Sequence, residues 1–170
     1  LDVEECHDYV KSKAFDHLMA DELIKMPDPI VGRFASDRDR SLAFRNLLRG
    51  YSLGLPSGQS VAAALADKGY SIDPAQDLKF ADIFGWNCLE EDIRNRLEEH
   101  TPLFLYLMRE AAVINDGERL GPVGSAILLE VFATMLLNCD SFLKDKSWEP
   151  DPCVASDDGL VLADIVRYVN

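Results

Sequence analysis

Apolar positions recur along most of this chain at the spacing of one helix face, and almost nowhere alternate in the manner of a strand. Between residues 8 and 26, Tyr9, Val10, Phe15, Leu18, Met19, Leu23 and Ile24 stand among charged residues at loosely helical intervals, and Pro27, Pro29 and Gly32 close the segment. One amphipathic helix, or two short ones, is expected there. Ser36 and Asp39 have the spacing of a capping box, and the run 42–51 continues as helix until Gly54 and Pro56 stop it. A third helix should start near Ser57 or Gln59, carry Val61, Ala62, Leu65 and Ala66, and close at Lys68 and Gly69.

Residues 70–87, with Pro74, several Asp and Gly85, read as loop with one helical turn near 78–83. A charged helix follows over 90–99, and Pro102 suits the first turn of the next, which carries Leu103, Phe104, Leu107, Met108, Ala111 and Ala112. Asn115-Asp116-Gly117 is a turn. Pro122 can open the longest helix, to about residue 142, because a first-turn N–H would have had no partner anyway. Ile127, Leu128, Leu129, Val131, Phe132, Met135, Leu136 and Leu137 cover most of that helix's circumference, which predicts burial on nearly every side. The tail from Trp148 to Gly159 is Pro- and Asp-rich loop, with a short helix over 160–168. The expected fold class is mainly α, one helical region spanning residues 1–170.

Composition narrows the options. At 170 residues, 48% apolar and 28% charged, the chain has the balance of a globular domain and can bury roughly two-thirds of its unfolded surface. Thirty acidic against 17 basic residues leave a net charge of −13, a field that repels phosphate backbones, so nucleic acid is not an expected partner. The longest apolar stretch is interrupted by Glu130 and Asn138, well short of the roughly 20 apolar residues of a transmembrane helix. Cys6, Cys88, Cys139 and Cys153 lie far apart without a C-x-x-C pair, so no zinc site is expected; small buried thiols are the ordinary use, with two disulfides as the alternative. The opening residue Leu1, without a signal-like segment after it, reads as an interior cut, a processed end or the first ordered residue.

The candidate chemistry sits on the second helix. Leu42, Ala43, Asn46, Arg49 and Gly50 share one face, while Phe44, Leu47, Leu48 and Tyr51 make the other side apolar too. Asn46 and Arg49 are therefore expected on a helix buried around most of its girth, where an amide needs hydrogen-bond partners and a guanidinium an anion. On spacing alone, Arg49 could pair with one of the chain's own carboxylates and Asn46 with a neighbouring backbone group. Other constellations carry less. Asp37 with Asp39, and Glu90-Glu91-Asp92, are ordinary solvated helix starts. Gly54-Leu55-Pro56-Ser57-Gly58 lacks the Gly-Lys-Ser/Thr ending of a phosphate loop, and Ser57 and Ser60 have no nearby base.

The stretch Asn46-Leu47-Leu48-Arg49-Gly50-Tyr51-Ser52-Leu53-Gly54-Leu55-Pro56 resembles the haem-side helix of the animal peroxidase and cyclooxygenase superfamily, whose pattern is Asn-x-x-Arg-Gly, three residues, then Gly-Leu-Pro. Arg119-Leu120-Gly121-Pro122 resembles the Arg-x-Gly-Pro that opens a late helix in the same family. The likeness is closest to a microbial branch, in which Gly54-Leu55-Pro56-Ser57-Gly58-Gln59 and Thr101-Pro102-Leu103 also find counterparts; it spans roughly residues 36–145. Animal members have Arg-Asp-His where this chain has Tyr51-Ser52-Leu53, and Pro-Tyr-Asn where it has Ser57-Gly58-Gln59.

The resemblance implies a helical C-terminal portion of a haem peroxidase fold, with haem as cofactor of the complete protein. It implies that Asn46 accepts a hydrogen bond from the proximal histidine and that Arg49 pairs with a haem propionate. The substrate would be a small organic molecule, a halide or a lipid, oxidised at the expense of peroxide. The family's Arg-x-x-Gly-His segment and its distal His and Arg have no counterpart here: His7 and His17 read as surface residues and His100 as a helix-end residue. No catalytic or metal-ligating residue is thus expected within the chain, and an upstream part of the same protein, or a second chain, would complete the pocket. The alternative is a non-catalytic helical interaction module derived from a peroxidase, without haem.

Overall fold

Short polar side chains at the right places start the helices. Ser41 accepts the Phe44 N–H and opens a helix over Leu42–Ser52, and Ser57 accepts the Ser60 N–H and opens another over Gly58–Asp67. The computed structural model of the chain describes residues 13–33, 35–83, 85–138, 149, 151–155 and 167. Among these, seven α-helices occur: α1 (Asp21–Ile24), α2 (Asp28–Val31), α3 (Leu42–Ser52), α4 (Gly58–Asp67), α5 (Glu91–Glu99), α6 (Leu103–Asn115) and α7 (Pro122–Asn138). Two 3-10 turns, Phe80–Asp82 and Trp86–Cys88, lie in the connection after α4. The described residues form no strand, only an isolated bridge between Ser57 and Pro102. The chain is thus mainly α. It divides into two compact units, Leu1–Leu128 and Leu129–Asn170.

The first unit packs α6 against both α3 and α4. Its core gathers Ala62 and Leu65 from α4, Tyr106 from α6, Val123 and Ala126 from the start of α7, and Leu78, Phe80 and Trp86 from the loop, with the Phe80 and Trp86 rings stacked 5.2 Å apart. Two sequence motifs are bolted together beneath this core. Gln59 Oε1 accepts the Thr101 N–H at 3.0 Å and its Nε2 donates to Thr101 Oγ1 and to the Glu98 carbonyl, while the Gly58 N–H bonds the Thr101 carbonyl at 2.9 Å. Ser57-Gly58-Gln59 and Thr101-Pro102-Leu103, 42 positions apart, are therefore two halves of one latch.

A second latch joins α6 to α7. Pro122 contributes no N–H, and the two free N–H groups that follow it, on Val123 and Gly124, both donate to the Glu110 carboxylate at 3.0–3.2 Å. Glu110 is 2% exposed; burial raises its pKa, against the pull of those two N–H donors, which lowers it. Gly121 is required there, because a Cβ would stand 2.2 Å from Glu110 Cγ. The Gly-Pro of Arg119-Leu120-Gly121-Pro122 thus has a local steric and capping reason.

Several expectations need correction. The helix, or pair of short helices, expected over 8–26 is absent from 13–20, where Asp16 captures the Leu18 N–H at 2.8 Å, Lys13 Nζ donates to the Leu18 carbonyl, and the Phe15 N–H bonds the Gly117 carbonyl; within the described part of that segment only the single turn of α1 remains, and α2 lies beyond Pro27. α3 has no buried residue, since α6 and α1 cover only part of it and Tyr51 is 85% exposed. On α7 the turns after Val123, Gly124 and Ala126 are exposed, with Leu129 at 65%, because no described residue covers them. Ser36 and Asp39 do bond reciprocally, but they close the turn that precedes α3 while Ser41 caps it. Cys88 and Cys153 are exposed free thiols rather than buried ones; the expectations for Cys6, Cys139 and the 160–168 helix fall outside the described residues.

His17 ties the 13–20 segment to the core. Its Nδ1 accepts from Arg109 Nη1 at 3.3 Å, since a guanidinium can only donate, and Arg109 is otherwise fixed on the Leu78 and Lys79 carbonyls. Burial first, then the Arg109 charge, lowers the His17 pKa below its ordinary 6.5. The unfolded chain therefore takes up this proton at a higher pH than the folded one, so the contribution is fully present above about pH 6.5 and fades as pH falls through the lower folded value. Between pH 7.5 and pH 5, roughly, wild type should lose more stability in chemical denaturation than His17→Gln, whose amide oxygen keeps the acceptor without titrating; parallel losses would contradict this.

Candidate functional site

The sharp stop after α3 builds a groove. Leu53 caps the helix, Gly54 takes a φ of +63°, and the Leu55 N–H returns to the Gly50 carbonyl, so the chain doubles back and sets Leu53, Leu55 and Pro56 beside α3. Leu103 and Phe104, at the start of α6, stand across from them, and the latch of Gln59 on Thr101 holds this second wall in place. The space between has a volume of about 670 Å³ and is lined mostly by apolar atoms.

Asn46 and Arg49 both line this groove, joined by Leu47, Gly50 and Tyr51 from the same helix. Asn46 is half-buried and Arg49 exposed, and neither side chain forms a hydrogen bond or ion pair with a described residue. The expectation that α3 would be buried around them fails, but the two are brought together on one open apolar surface. They also border a second depression of about 700 Å³ with Leu42, Arg45 and Asp39. Neither Asp39 nor any other described carboxylate pairs with Arg49; the Asp39 carboxyl is held below its ordinary pKa by the Ser36 hydroxyl and N–H. No family model, curated protein or solved structure matches the chain.

His100 also lines the groove, together with Ser57 and Ser60. It follows α5 as a helix-end residue, with its backbone N–H on the Arg96 carbonyl, but its ring forms no hydrogen bond with a described residue. The sequence reading of His100 as a helix-end residue holds, but its place in the groove was missed. The available signal was adjacency: Thr101, the next residue, is the one that Gln59 grips. Of the other histidines, His17 is taken by Arg109 and His7 lies outside the described residues.

The groove's composition differs from that of the chain. Thirty of 170 residues are acidic, yet none of the described residues lining the groove is, and an Arg and a His are among them. An apolar ligand bearing a carboxylate therefore meets hydrocarbon walls and a permanently charged fork without a competing anion.

Proposed function

We propose that this chain is the proximal-side portion of a haem-dependent peroxidase. The reading is carried by one observation: the two residues picked out by the Asn-x-x-Arg-Gly motif, Asn46 and Arg49, line a single apolar groove, and neither is engaged by another described side chain. The donor set suits haem: Leu47, Leu53, Leu55, Leu103 and Phe104 offer contact to a flat macrocycle, Arg49 offers two parallel N–H donors to a propionate, and Asn46 a neutral carbonyl acceptor. Haem, when bound, supplies the iron at which peroxide is consumed and an organic, halide or lipid substrate oxidised.

Each residue's task follows from its chemistry. Asn46 Oδ1 would accept the Nδ1–H of the histidine that binds the haem, fixing its tautomer; a neutral acceptor would leave that imidazole less anionic than a carboxylate would. Arg49 would hold the acid arm, its planar, permanently charged fork matching a carboxylate. The imidazole itself and the distal acid–base pair come from an upstream part of the same protein or from a second chain, which also covers the exposed side of α3.

In the full-length gene product, Arg49→Ala is expected to weaken haemin binding about 10- to 100-fold, the loss of a charge-assisted contact of about 1.5–3 kcal/mol. Titration followed at the Soret band checks it, and unchanged affinity and absorbance would contradict it. A second reading, a helical interaction module without haem, is favoured by the exposed apolar side chains of α7, Phe132, Met135 and Leu137 among them. It predicts no haemin uptake by the full-length product under any condition.

A further inference from the structure

The groove presents a second polar anchor whose role the family motifs do not assign. His100 is exposed, stands on the same groove as Arg49, and is carried by a rigid support: Thr101 beside it is fully buried and bonded to Gln59 and to the Leu97 carbonyl. Its ring has no described partner. A histidine prepared as a metal ligand almost always donates its other ring N–H to a carboxylate or carbonyl, which fixes the tautomer; among the described residues His100 has no such support. An imidazole N–H is instead a good donor to an acid.

We infer that His100 binds a second carboxylate of the groove's ligand, so that Arg49 and His100 together select an apolar molecule with two acid arms. The inference rests on the haem reading, since haem carries two propionates on one edge. It also draws on an independent fact, the absence of any acidic residue among the described groove lining of a chain with 30 acidic residues. Glu99, beside His100, borders a different depression.

The test compares haemin with haemin dimethyl ester, in which both acid arms are neutral, on the apo form of the full-length product, each titrated by absorbance. Wild type should prefer haemin by about 100-fold, roughly tenfold for each acid contact. Arg49→Ala and His100→Gln should each cut that ratio about tenfold, and His100→Arg should keep it. A wild-type ratio in His100→Gln, with a reduced ratio in Arg49→Ala, would overturn the role of His100 and leave the haem reading standing. Failure of wild type to take up either porphyrin would overturn the haem reading and this inference with it.

Discussion

Replacing Gly58 by alanine is expected to destabilise the first unit by about 3 kcal/mol, at the upper end of what forcing a methyl group into a packed core costs. The added Cβ would stand 1.9 Å from Tyr106 Cγ and 2.3 Å from its Cβ. Tyr106 cannot step aside: it is 1% exposed and packs within the cluster of Ala62, Leu65 and Val123, with burial pushing its pKa up to about 12. Moving the backbone instead would strain the Gly58 N–H bond to Thr101 and the Gln59 latch that positions the groove's far wall. Gly50→Ala is the control. Its Cβ would meet only Leu55 Cδ1 at an ordinary 3.7 Å, and mid-helix alanine is favoured over glycine by about 0.5–1 kcal/mol. Chemical denaturation of both variants decides the matter: equal stabilities would mean that Tyr106 is far less constrained than its surroundings indicate.

Glu110→Ala should cost about as much, roughly 3 kcal/mol, because it leaves the Val123 and Gly124 N–H groups buried without an acceptor and opens a cavity beside Gly121. The mechanism separates from mere loss of volume through Glu110→Gln, which keeps a carbonyl oxygen for those donors and should lose less than half as much. If Gln proves as damaging as Ala, the side-chain acceptor is not what holds the start of α7. Gly121→Ala should fall between wild type and Glu110→Ala, since the new methyl displaces the carboxylate instead of removing it.

These two sites show what local pattern conveys and what it hides. Ser57, Pro102 and Pro122 announce their helices because a cap or a missing N–H acts within one turn, and α4, α6 and α7 begin where those residues place them, whereas α3 is capped by Ser41 and not by the expected Ser36 and Asp39. The segment 13–20 misled for an equally local reason, Asp16 taking the Leu18 N–H that a helix would have used. Glu110 was invisible as a cap because its partners lie 13 and 14 positions away, and on α6 it looked like one more acidic residue. Gly58 and Gln59 were noticed as motif letters, whereas their physical reason lies across the fold, in Tyr106 and Thr101.

The candidate site divides in the same way. Asn46 and Arg49 were legible as a pair, because one helical turn sets them on one face. Their surroundings were not: apolar residues around α3 suggested burial, and instead Leu53 and Leu55 turn back to make one wall of an open groove whose other wall comes from Leu103 and Phe104. His100 enters that groove only because the Gln59 latch brings the end of α5 there.

The most direct measurement is the haem content of the full-length gene product, purified without added porphyrin and titrated with haemin. The account predicts one haem per chain, a Soret band of a histidine-ligated iron, and its weakening in Asn46→Ala as well as Arg49→Ala. A full-length product that carries no haem and gains no Soret band on titration would contradict it.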